Sequence, residues 1–118
     1  MLGGLRELET AAEPGLLREL LLAFRESANE KVGALRAATL ARDRDRLERE
    51  AHSLQGSCGM VGALRMAERC RVLEHAAGDD GADFGPDILG LVEEWQRVQV
   101  ELDTKLAESN PSPLEGAA

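Results

Sequence analysis

The chain has 118 residues, a length that suits one domain with a single core. Two Phe, one Trp and no Tyr among 43% hydrophobic residues leave Leu and Ala to build that core, as in packed helices. A net charge of −8 argues against nucleic-acid binding as the main activity, and no apolar run reaches membrane-spanning length.

The opening Met1-Leu2-Gly3-Gly4-Leu5-Arg6-Glu7 lacks the apolar core of a secretory signal. Leu2, Leu5 and Leu8 suit a short first helix over one end of the domain. Pro14 suits the first turn of the next helix. Leu17, Leu20, Leu21, Phe24, Ala28, Val32, Leu35 and Thr39 then recur at helical spacing to about residue 41. Arg42-Asp43-Arg44-Asp45 is the junction, and either Asp can cap the next helix.

The third helix places Leu47, Ala51, Leu54, Cys58 and Val61 on one face, with Gly62 ending it. A fourth runs from Ala63 to about Ala77 and buries Met66, Ala67, Cys70, Leu73 and Ala77. Gly78-Asp79-Asp80-Gly81-Ala82-Asp83 is a loop. Pro86 opens the last helix, whose inward face is Ile88, Val92, Trp95, Gln99, Leu102 and Leu106. The pattern predicts an all-α, antiparallel up-down four-helix bundle with a short additional N-terminal helix. Residues 1–108 form it, and 109–118 form a disordered tail rich in Pro and Ser. Cys58 and Cys70 fall in helical patterns and read as reduced packing residues.

The chemistry concentrates in Ala51-His52-Ser53-Leu54-Gln55-Gly56-Ser57-Cys58-Gly59. His52 lies about 100° around the helix from Ala51, off the apolar stripe. A helical side chain leans toward the N-terminus, so residue 56 would lean over the imidazole, and residue 56 is Gly. Gly59 comes next on the same face. A glycine inside a helix costs roughly 1 kcal/mol against alanine, and access of another protein to the ring is the reason we favour for two of them. Charge supports this modestly. Residues 42–71 hold seven arginines against five acids, while residues 72–118 hold two bases against eleven acids. A basic rim around His52 would steer an acidic partner, although a solvated helical surface has the same composition.

These residues resemble the central motif of the histidine-containing phosphotransfer (HPt) family, approximately His-x-Leu-Lys-Gly-Ser-Ala-x-x-x-Gly. The matching positions are His52, Leu54, Gly56, Ser57 and Gly62. The resemblance extends to Pro14-Gly15-Leu16-Leu17, Phe24 and Cys70-Arg71-Val72-Leu73-Glu74, about residues 5 to 107. It implies a phosphocarrier in a two-component phosphorelay, with His52 taking a phosphoryl group from one receiver-domain aspartate and passing it to another. An imidazole at its ordinary pKa of about 6.5 is roughly three-quarters neutral at pH 7 and needs no base before attack. The Mg²⁺ and the remaining electrostatic stabilisation would belong to the receiver, so this chain needs no cofactor. It has no Gly-rich phosphate loop and no kinase motifs, so autokinase activity is not expected.

The chain departs from the family at Gln55, where lysine is usual, and a neutral donor replaces a cation beside the phosphoryl oxygens. Arg49 or Arg69 are candidates to compensate. Cys58 and Met60 stand where alanine and asparagine are common. Glu74 occupies a position where the family often has Glu or Gln near the imidazole. It either accepts a hydrogen bond from the ring or is a surface acid. The expected docking surface is Arg49, Gln55, Gly56, Gly59, Met60, Arg65 and Arg69. The partners implied are response-regulator receivers and a hybrid histidine kinase, met by a cytoplasmic monomer. Met1 and the self-contained bundle pattern suggest a stand-alone protein, and an excised kinase domain would look the same.

His75 lacks any such motif and reads as a surface residue near a helix end. A metal site from His52, Cys58, Cys70 and His75 is disfavoured, because the six- and five-residue spacings do not match helical ligand pairs. The rival reading is a non-catalytic bundle that binds a receiver or kinase without accepting phosphate.

Overall fold

A computed structural model describes residues 14–79, 81 and 83–109. Its helices are α1 (Pro14–Ala41), α2 (Arg44–Val61), α3 (Leu64–Ala77) and α4 (Gly85–Ser109). Each packs on the next, and α4 returns to α1, closing an antiparallel bundle. The first helix expected at Leu2, Leu5 and Leu8 lies outside the described residues, as do positions 110–118 of the tail. No described helix is long and apolar enough to cross a membrane.

Local chemistry sets the corners. Arg42 turns the chain with φ 55°, and Asp43 N–H closes the end of α1 on the Ala38 carbonyl at 2.9 Å. Asp43 then caps α2, its Oδ1 accepting from the Arg46 amide at 3.1 Å. Gly62, at φ 77°, ends α2 in the left-handed conformation that only glycine adopts cheaply. The adjoining Ala63 N–H reaches the Cys58 carbonyl at 2.9 Å. Arg44 ties the start of α2 to the far end of α3. Its Nη1 donates to the carbonyls of Ala76 (3.2 Å), Ala77 (3.4 Å) and Asp79 (2.8 Å), and its guanidinium lies 4.8 Å from the Phe84 ring centre. A cation there satisfies carbonyls with no helical partner and sets the register of α2 on α3.

The core is aliphatic, with Leu21, Leu35, Leu47, Leu54, Met66, Leu73, Leu91 and Leu102 fully buried. Its aromatic contribution is an edge-on pair, Phe24 and Trp95, with centroids 6.1 Å apart, and Trp95 Nε1 donates to Asn29 Oδ1 at 3.4 Å. Cys58 and Cys70 are buried free thiols, and the adjacent Cys58 thiol and burial together push Cys70 far above the usual thiol range. Cys70 therefore packs as a neutral side chain.

Two inward faces differ from the spacing-based expectation. In α1, Leu20 is exposed at 37%, while Ala38 takes the core position expected for Thr39, which instead donates to the Leu35 carbonyl at 2.8 Å. In α4, Val92 and Gln99 are half-buried edges, and Leu91, Glu94 and Val98 are buried. Because α4 contacts both α1 and α3, its buried stripe is wider than one row. Glu94 is the surprise: its Oε1 accepts from Arg97 Nη1 at 3.2 Å, and its buried Oε2 has no partner among the described residues.

Candidate functional site

The buried stripe of α2 is the predicted set, Leu47, Ala51, Leu54, Cys58 and Val61. Anchoring those five turns His52 outward, and its side chain is 74% exposed. The ring leans toward the preceding turn, into an open recess lined by Asp45, Glu48, Arg49 and, from α3, Glu74.

One contact orients the ring. His52 Nδ1 lies 2.9 Å from Glu74 Oε1, and the Glu74 side chain is mostly covered. A carboxylate only accepts, so Nδ1 carries the hydrogen and Nε2 keeps its lone pair for chemistry. Of the two roles open for Glu74, the structure forms the hydrogen bond to the ring.

Gly56 and Gly59 are exposed, and a Cβ at either would meet nothing within 4 Å. The fold itself does not require them to be glycine. What they remove is bulk on the His52 face of α2. Gln55 is half-buried on the next turn, and Ser57 Oγ donates to the Ser53 carbonyl at 3.4 Å. Met60 is 76% exposed near the end of α2.

The arginines do not assemble the expected basic rim. Only Arg49 lines the recess with His52. Arg69 lies against α4, where a Cβ on Gly90 would come within 3.2 Å of its Nη1. Arg65, four residues earlier and exposed, occupies the same stripe of α3. Arg71 Nε donates to Glu68 Oε2 at 2.8 Å, which holds the Glu68 carboxyl below its usual range and raises Arg71. Arg44 serves the end of α3. The local sequence charge was positive, yet Arg44, Arg69 and Arg71 have contacts of their own away from the His52 recess.

His75 is exposed in the last turn of α3 and lines a neighbouring recess with Glu48, Glu74 and Arg71. Among the described residues no three His, Cys, Asp or Glu side chains are placed to hold a metal ion.

Sequence reasoning missed an apolar cleft of about 250 Å³ between α1 and α2, lined by Leu20, Ala23, Phe24, Ser57, Met60 and Val61 among others. The available signal was an excess of leucine: Leu16, Leu20 and Leu22 are more than α1 can bury, and all three remain exposed.

A comparison with curated protein sequences finds no match. Among solved structures, the chain is similar to histidine-containing phosphotransfer protein B from Pseudomonas aeruginosa PAO1, with 26% identity and a TM-score of 0.79 over 91% of this chain and 90% of that one. The family profile described as the Hpt domain matches residues 19–108, which include α2, α3 and the His52–Glu74 pair. The chain therefore belongs to the Hpt domain family, the histidine phosphotransfer carriers of phosphorelays.

Proposed function

We propose that His52 is the phosphoacceptor and that its Nε2 is the nucleophile. The observation that carries this is the Nδ1 contact to Glu74 beside an exposed ring edge. In the forward step the Nε2 lone pair forms a bond to the phosphorus of a receiver's aspartyl phosphate. The P–O bond to the aspartate breaks, and the carboxylate leaves as an anion. The ring becomes cationic, its Nδ1 proton held on Glu74, and the phosphoryl group keeps its double negative charge. The reverse step onto a second receiver restores neutral imidazole. Each receiver supplies the Mg²⁺; this chain supplies nucleophile, orientation and access, and does not phosphorylate itself from ATP.

Docking uses the exposed face of α2, with Arg49, Gln55, Gly56, Gly59 and Met60, and continues into the apolar cleft beside Ser57. Arg65 and Arg69, exposed on α3 outside the His52 recess, extend the same proposed surface. A small apolar patch with a polar rim suits a transient encounter between a monomeric carrier and cytoplasmic receivers or a hybrid kinase.

The test is phosphorylation of the purified chain by receiver domains charged with a small phosphodonor and Mg²⁺, read by intact mass. An acid-labile adduct on wild type and His75→Ala, absent from His52→Ala, is the expected result. Binding without an adduct across a panel of receivers would establish the non-catalytic interaction module instead.

A further inference from the structure

The surroundings of His52 are acidic where a phosphoryl group must arrive. Asp45, Glu48 and Glu74 line the recess with Arg49 as its one cation. Glu74 is engaged by the ring through Nδ1. Glu48 and Asp45 lie one and two turns before His52 on its own helix, the direction in which the ring leans. Glu48 also reaches toward α3, since a Cβ on Gly78 would sit 3.7 Å from its Oε2. Three other arginines of this segment have contacts of their own outside the recess: Arg44 at the end of α3, Arg69 against Gly90, and Arg71 with Glu68.

We infer that Asp45 and Glu48 set the transfer equilibrium of this carrier, destabilising phosphohistidine so that the phosphoryl group is passed on to a receiver rather than stored. The inference rests on His52 being the acceptor. The two kinds of carboxylate act oppositely. Glu74 faces the ring nitrogen that becomes positive and favours the phosphorylated state. Asp45 and Glu48 face the group that carries the negative charge and oppose it. No metal-holding cluster forms among the described residues to neutralise them. A unit charge about 7 Å from a dianion in water changes an equilibrium by roughly two- to eightfold, the lower figure applying at physiological salt.

The experiment is an internal competition. Full-length wild type and Glu48→Gln, distinguishable by mass after an isotope label, share one receiver domain, phosphodonor and Mg²⁺ until the phosphoryl group has exchanged between them. Their phosphorylated fractions then give the ratio of their transfer equilibria, and the receiver's own stability cancels. The expected ratio favours Glu48→Gln by up to about eightfold at low salt, about twofold at physiological salt, and falls toward one in 1 M salt. Asp45→Asn behaves alike, and Glu93→Gln, an exposed position on α4, gives a ratio near one. Ratios near one for both recess variants at low salt overturn the inference while leaving His52 as acceptor. An equal shift in Glu93→Gln also overturns it, because the effect would then be one of net charge. Absence of any adduct on wild type removes the acceptor reading and this inference together.

Discussion

Glu74 Oε1 lies 2.9 Å from His52 Nδ1, joining the third helix to the second at the imidazole. The pair fixes both the tautomer and the direction of the ring, because a carboxylate at Nδ1 leaves Nε2 as the basic nitrogen.

Removing that partner should slow the chemistry without unfolding the bundle. Glu74→Ala is expected to lower the rate of phosphoryl uptake by about tenfold or more, the scale seen when an orienting partner of a histidine is lost. Glu74→Gln, which keeps an accepting oxygen, should fall between. Stopped transfer time courses give the rates, and nitrogen NMR should show a mixed His52 tautomer only in Glu74→Ala. An unchanged rate with an unchanged tautomer would refute the orienting role.

Gly56 separates stability from function. Its Cβ would meet nothing, so Gly56→Ala should stabilise the protein by up to about 1 kcal/mol through helix propensity. Gly56→Leu should also fold, yet place bulk toward the His52 turn and reduce uptake from a receiver by at least about tenfold, a loss of roughly 1.4 kcal/mol of transition-state stabilisation. Urea melts and transfer rates on the same samples check both halves.

Gln55→Lys adds a cation one turn beyond His52. Charge-assisted hydrogen bonds are about twice as strong as neutral ones. The phosphohistidine should therefore live longer and pass its group on more slowly. Hydrolysis half-life and onward transfer are the two readouts, and no change in either would show that position 55 does not sense the phosphoryl group.

Glu94 is a buried carboxylate with one oxygen unpartnered among the described residues. Burying an unsatisfied acceptor costs about 1–3 kcal/mol, and apolar replacements of buried charges are often neutral or stabilising. Glu94→Met is expected to raise the unfolding free energy by about 1 kcal/mol after loss of the Arg97 contact, read as a higher urea midpoint. Destabilisation of the same size would mean that the Arg97 pair outweighs the buried oxygen.

Arg42 holds φ 55° at the α1–α2 turn, a conformation costing a side-chain-bearing residue about 1 kcal/mol or more. Arg42→Gly should recover about that amount, seen as a Tm several degrees higher, with phosphoryl uptake unaltered.

The helical bundle was legible because its code is local. Leu47, Ala51, Leu54, Cys58 and Val61 alternate in steps of four and three, and that spacing alone turns one face inward and leaves His52 outside. Gly62 marked the end of α2 for an equally local reason, a permissive φ, while its start was legible as a choice between Asp43 and Asp45, of which the structure uses Asp43. On α4 the same reasoning stopped short, because one spacing row cannot reveal that a helix contacts two neighbours at once. Glu94 was passed over for that reason and because a charge is expected outside.

Around His52 the division is sharper. Its exposure and the cleared face at Gly56 and Gly59 come from positions along one helix, which the order of residues specifies. The direction taken by each arginine depends on what stands opposite it on another helix. Arg44 meets the carbonyl end of α3, Arg69 meets the bare backbone of Gly90, and Glu74 meets Nδ1. Intrahelical spacing is set by a fixed 3.6-residue period, but contacts between helices are set by packing register. Counting charges along the chain therefore suggested a basic surround, whereas packing α3 against α2 brought the Glu74 carboxyl to the imidazole and gave Arg44, Arg69 and Arg71 other neighbours.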